Sequence, residues 1–210
     1  MYHNPDKHPE IGAAGACLKA VNARFNAELA RQIAGTLPPG HIYQFGHPSA
    51  ILLSAGLPNL PIEMAASRLL HKSNQENHPF HLQEIRDMPK AIQNPMAVFR
   101  SATHIGSSVI LTRLTQGSKN FVVAIETNKR QGKIVVNSIR SIHPRTTSNI
   151  VHWINEGLLE FADTENLGQW LSDKIKTREY LNSSTPADVR HALISAAKIL
   201  QNFENPKCGG

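Results

Sequence analysis

The chain has 210 residues, with 22 Lys and Arg against 16 Asp and Glu, for a formal net charge of +6. Its 40% hydrophobic and 18% charged residues can bury a core, which excludes wholesale disorder, and the length suits a single domain with helical additions. No apolar run approaches the roughly 20 residues of a membrane span, and the polar start Met1-Tyr2-His3-Asn4-Pro5-Asp6-Lys7-His8 lacks the apolar stretch of a secretory signal. Cys17 and Cys208 form no C-x-x-C pair, which points to a reducing cytoplasm. The basic balance suits an anionic partner such as nucleic acid without selecting one.

In chain order, residues 1–15 read as a loose terminus rich in Pro, Gly and His. Leu18, Val21, Phe25, Leu29 and Ile33 recur at steps of three and four, which predicts a helix ending at Gly35. Leu37-Pro38-Pro39-Gly40 breaks the chain. A short strand is expected at Ile42–Phe45 and a short helix around Ala50–Ala55. Pro61 suits the first turn of a helix reaching Lys72, with Ile62, Ala65, Ala66, Leu69 and Leu70 on its apolar face. Leu82, Ile85 and Met88 mark a further short helix, interrupted by Pro89.

The period then changes. Met96–Ala102, Val109–Leu114, Phe121–Glu126 and Lys133–Ile142 are Val- and Ile-rich runs separated by Gly106, Gly117 and Gly132, which predicts a four-stranded antiparallel meander. Ile134, Val136 and Ser138 share one face of the last run, which passes from apolar to polar as a strand does on leaving a core. Ile150, Ile154, Leu158 and Phe161 restore a helical stripe, a shorter helix is expected at Gln169–Ile175, and Pro186 opens a last one through Leu200. Helices, strands and again helices imply an α+β fold, an antiparallel four-stranded sheet against N-terminal helices with a C-terminal helical extension.

Three groups of residues carry candidate chemistry. Lys72 with His78 and His81 places an amine near imidazoles, whose ordinary pKa of about 6.5 suits proton transfer near neutral pH. Such a set fits phosphodiester cleavage without a metal, although a solvated lysine and a helix-capping His81 would look the same. Arg100-Ser101-Ala102-Thr103-His104 ends the first strand with groups that grip phosphate oxygens or simply begin a polar loop. Asn137-Ser138-Ile139-Arg140-Ser141-Ile142-His143-Pro144-Arg145 is dense in polar residues. Strict alternation sends Ser138 and Arg140 to one face and Ser141 and His143 to the other, so only one set lines a cleft unless the strand twists or bulges. His71, His78 and His81 lack an acidic partner at ligand spacing, and no metal site or cofactor is expected. G-x-x-x-x-G-K and G-x-S-x-G are both absent.

Phe25-Asn26-Ala27-Glu28-Leu29, Gly46-His47-Pro48, Leu52-x-x-Ala55-Gly56, Pro61-Ile62, Lys72, His78 and Met88-Pro89-x-x-Ile92-x-Asn94-Pro95-Met96-Ala97-Val98-Phe99-x-Ser101 form a pattern. It continues through Val122-Val123-Ala124-Ile125, Val136-Asn137-Ser138-Ile139-x-Ser141-Ile142 and Trp153-Ile154 with Gly157-Leu158-Leu159. Over residues 24–172 the chain resembles the C-terminal domain of phage Mu protein F-type head morphogenesis proteins (MuF-C), also found in polymorphic and mobile-element polypeptides. Residues 1–23 would precede that domain, and 173–210 would form a C-terminal helix and tail.

The resemblance implies the barnase, EndoU, colicin and RelE-like RNase fold and a metal-independent ribonuclease, such as a delivered toxin. The family lysine falls on Lys72, its loop histidine on His78 and its strand serines on Ser101, Ser138 and Ser141. His143 and Arg145 stand where the family has an aromatic residue and a lysine. His78, Lys72, Ser138 and Ser141 are then the expected catalytic group, and Arg100, Ser101, His143 and Arg145 the expected substrate contacts. The implied partners are RNA (tRNA or another structured RNA), an immunity protein, or phage portal and head proteins, with no membrane. The alternative is a non-catalytic head-assembly or docking module.

Overall fold

The computed structural model describes residues 9–76, 79–176 and 187–204. The first helix, α1 (Pro9–Ile33), begins earlier than the sequence suggests, within the stretch read as a loose terminus. It buries Phe25 and Leu29. Gly35 ends it at φ 69°, where Thr36 N–H bonds the Arg31 carbonyl at 2.8 Å and Gly35 N–H that of Gln32 at 3.1 Å. Strand β1 (Ile42–Gln44), helix α2 (Ala50–Ser54), strand β2 (Ile62–Ala65) and helix α3 (Ala66–Ser73) follow.

The helix expected from Pro61 is therefore corrected in its first half. Ile62–Ala65 is extended, because it pairs antiparallel with β1 and parallel with β6 (Ile134–Arg145) while burying Ile62 and Met64. Ladder bonds override the helical spacing. A 3₁₀ turn at Leu82–Ile85 precedes α4 (Met88–Gln93). Pro89 lies in the first turn of α4, where its missing N–H costs nothing, so it opens a helix instead of interrupting one.

The four predicted strands are present as β3 (Ala97–Arg100), β4 (Ser107–Gln116), β5 (Lys119–Gln131) and β6. They form an antiparallel meander. The sheet itself is larger than four strands: it is seven-stranded and mixed, in the order β1-β2-β6-β5-β4-β3-β7, with β2 parallel to β6. The last strand, β7 (Leu159–Ala162), lies where a helix was expected to continue. Helix α5 (Thr147–Asn155) stops short because Gly157 adopts φ 68°, and the chain beyond it pairs with β3. Helices α6 (Thr164–Lys176) and α7 (Ala187–Glu204) complete the described chain. Residues 1–8, His78, Pro186 and the tail with Cys208 lie outside the described residues, and Cys17 is an exposed thiol. No helix among the described residues is long and apolar enough to cross a membrane.

The sheet separates two apolar layers. Val98, Ile110, Val123, Ile125, Ile139 and Ile142 pack with Phe25 and Leu29 of α1 and with Met88 and Ile92 of α4. On the opposite face Ala97, Phe99, Leu111 and Val122 pack with Ile150 and Ile154 of α5, Leu167 and Leu171 of α6 and Leu193 of α7.

Asp87 locks α1 to the start of α4. Its carboxylate accepts hydrogen bonds from Asn22 and Asn26, and its own N–H donates to Asn26 Oδ1 at 2.9 Å. The bonds from Asn26 and Asn22 hold the Asp87 carboxyl below the usual carboxylate range. A carboxyl depressed in the folded state stabilises the fold above its unfolded pKa, about 3.9, and that contribution is lost as pH falls through the lower folded value. Asn at 87 tolerates the left-handed φ of 63° but carries no charge. Asp87→Asn should therefore lower the melting temperature at pH 6, with a difference that shrinks as pH falls below about 4, as followed by circular dichroism.

Candidate functional site

The face of the meander that carries α5 and α6 is left uncovered at one end, where a cavity of about 430 Å³ opens. Its floor follows the strand register. Phe99 pairs with Val109, Val109 with Ala124, and Ala124 with Ser141, and His143 lies opposite Val122 in the adjoining row. All of these residues line the cavity. Trp153 of α5 and Leu158 form a wall, with the indole edge-on to Phe99 at 5.5 Å between ring centroids.

A bulge in β6 decides which side chains reach this floor. Ile139 pairs with Ile125 and Ser141 with Ala124, so Arg140 is an extra residue without a ladder partner. Ile139 and Ile142 consequently both stay in the core, although strict alternation would separate them. Arg140, Ser141, His143 and Arg145 all line the cavity. From Arg140 onward the polar residues of this segment thus share one cleft, reached by two faces of an ideal strand.

Helix α3 packs along β6, where Arg68 Nη1 donates to the Ile139 carbonyl at 3.3 Å, and one turn later Lys72 reaches the rim. The opposite rim is the β3–β4 loop. There Ser101 Oγ accepts the His104 N–H at 3.2 Å, and the Ser101 N–H donates to the Ser107 carbonyl at 3.0 Å. This turn shapes the loop and leaves the Ser101 hydroxyl proton available to a ligand.

Of the expected site residues, Lys72, Arg100, Ser101, Ser141, His143 and Arg145 line the same cavity. Ser138 does not. It is 5% exposed and sits between Glu63 and Glu126 in the sheet register, on the far side of the bulge. His78 lies outside the described residues. His81 is exposed ahead of the 3₁₀ turn, its N–H bonded to the Glu84 carboxylate at 3.0 Å, which is a capping position. Arg140, His104 and Trp153 were not among the expected contacts. Arg140 and His104 lie within the candidate segments but were not singled out as contacts, and Trp153 stands beside the helical stripe of Ile150 and Ile154.

The electrostatics are one-sided. Lys72, Arg100, Arg140 and Arg145 line the cavity together with two imidazoles, His104 and His143, and no carboxylate lines it among the described residues. Glu160 of β7 meets Arg100 at 3.4 Å, but that guanidinium is 63% exposed, so water screens the pair. Glu126 lies one step beyond Ala124 on β5. A hydrogen bond from Lys129, helped by the charges of Arg140 and Arg68, holds its carboxyl below the usual range.

Arg145 is the most demanding of the cations. Its Nε is buried with no hydrogen-bond partner among the described residues, and desolvation lowers the pKa of the guanidinium. A cation held this way is costly until an anion supplies the missing acceptors. Among the described residues, no group of three or more His, Cys, Asp or Glu is placed to hold a metal ion. The arrangement is chemically suited to gripping a phosphate diester, with hydroxyls and imidazoles at hand.

Residues 69–169 match the family model of the phage MuF-C-terminal domain. No curated protein and no solved structure matches the chain. The matched segment runs from α3 into α6 and contains every residue that lines the cavity.

Proposed function

We propose that this phage-type domain is a metal-independent RNA endonuclease whose active site is the cavity on the meander, acting in a cytoplasm as a phage- or mobile-element-borne toxin. The observation that carries this reading is Arg145, whose Nε is buried without a hydrogen-bond partner among the described residues, in a cavity whose described lining holds three further cations and no carboxylate. Among the described residues the lining supplies charge for a phosphodiester and offers no acidic oxygens with which to hold a divalent ion.

In the proposed reaction His143 takes the proton of the RNA 2′-hydroxyl, and the O2′–P bond forms as the P–O5′ bond breaks. A second imidazole returns a proton to the departing 5′-oxygen, leaving a 2′,3′-cyclic phosphate and a 5′-hydroxyl. His104 on the opposite rim and His78 are the two histidines to test for that role. Lys72, Arg140 and Arg145 balance the charge that builds on the non-bridging oxygens, and Ser141 donates a hydrogen bond to one of them. Trp153 and Phe99 offer an aromatic surface against which a flanking base can stack.

The test is incubation of the purified chain with RNA and with DNA of the same sequence, in the presence of a metal chelator. The expected result is RNA fragments ending in 2′,3′-cyclic phosphate and intact DNA. Uncut RNA under all conditions would overturn the catalytic reading and favour the docking module.

A further inference from the structure

The last rungs of the β5–β6 hairpin extend beyond the body of the sheet as a narrow ribbon, with Lys129 opposite Val136, Arg130 opposite Val135, and Gln131 opposite Ile134. A bend sets it off. The register slips between Glu126 and Lys129, where Asn128 adopts a left-handed φ of 54°, and Gly132 turns the chain at φ 61°. β-Branched residues on the returning strand keep the ribbon extended despite its exposure.

From Thr127 to Val136 this ribbon carries Lys129, Arg130 and Lys133 and no acidic residue. Lys129 is occupied by Glu126 at 2.8 Å, whereas Arg130 and Lys133 are exposed and have no ion-pair partner among the described residues. The root of the ribbon is tied to the cavity rim: Thr127 bonds the Gly106 carbonyl through both its N–H, at 3.2 Å, and its Oγ1, at 2.6 Å. The positive charge of the cavity is therefore continued outward along one supported strand pair.

We infer that the ribbon is a second RNA contact, an arm that holds the phosphate backbone beyond the scissile position, so that the site takes a polynucleotide in preference to a dinucleotide. This rests on RNA being the ligand of the cavity, but not on turnover.

The arm is tested by binding and cleavage of a hairpin RNA of about 20 nucleotides over a salt series, beside cleavage of a dinucleotide. Each lost phosphate contact should flatten the dependence of log affinity on log salt by about 0.7–0.9. Arg130→Gln with Lys133→Gln should weaken hairpin binding on the order of tenfold at about 0.1 M salt and leave dinucleotide cleavage unchanged. Gln131→Lys should act in the opposite sense, tightening binding and steepening the slope. Unchanged affinity and slope in both variants would overturn the arm, as would wild-type protein that binds no RNA. RNA that is bound through the arm but never cut would sink the catalytic reading and leave the arm standing.

Discussion

Replacing His143 by Gln is expected to slow RNA cleavage by a factor of about 10²–10⁴, the usual contribution of a positioned proton carrier. His143 sits on the cavity floor opposite Val122, half-buried, on the stretch of β6 that the bulge turns toward the cleft. Gln keeps much of the volume and a polar end but cannot exchange a proton near neutral pH. The far-UV circular dichroism spectrum should be unchanged, and the affinity for RNA should change far less than the rate, because the four cations of the lining remain. Retained activity in this variant would remove His143 from the mechanism and direct attention to His104 and His78. Loss of binding and rate together would make His143 a binding residue.

Arg145→Met should separate function from stability. In the ligand-free protein the guanidinium is desolvated and its Nε has no partner among the described residues, so an apolar side chain of similar reach should leave the melting temperature equal or raise it. The same change removes a charge-assisted contact to phosphate, worth about 1.5–3 kcal/mol and hence roughly a ten- to hundredfold loss of RNA affinity. Arg145→Lys should fall between the two, since it keeps the charge but not the paired donors that match a phosphate edge. Thermal melts and fluorescence anisotropy on the three proteins decide the matter. A marked drop in melting temperature with undiminished affinity would make Arg145 a structural residue.

The sequence was most legible where elements are long and their periods clean. The four β-branched runs of the meander and the stripe of α1 are long enough for spacing to dominate. The short strand expected at Ile42–Phe45 is β1, but β2 and β7, four residues each, read as helix in the sequence. At that length alternation has no statistical hold, and the spacing of Ile62 with Ala65, or of Leu158 with Phe161, looks helical. Strands β2 and β7 exist because the two edges of the meander, β6 and β3, offer unpaired backbone groups, which is a property of the folded sheet and not of the local sequence.

The site divides along similar lines. Lys72, Arg100, Ser101, Ser141, His143 and Arg145 were marked by their chemistry and by the family resemblance, and they line one cavity. Ser138 was marked on the same grounds, but it occupies a buried place between two glutamates in the sheet register. Arg140 lay in the same candidate segment, on the face that regular alternation shares with Ser138, and one inserted residue brings it to the cleft without Ser138. A bulge leaves no composition signal here, because Arg140 is flanked by residues that would suit a regular strand equally well.

The central claim is that the cation-lined cavity receives an RNA phosphate, and a crystal structure with a 2′-O-methyl RNA, which cannot be cleaved, tests it most directly. The account predicts a backbone phosphate within hydrogen-bond reach of Arg145 and Lys72, with the adjoining 2′-oxygen facing His143. An RNA bound elsewhere on the protein, with the cavity holding only solvent, would contradict it.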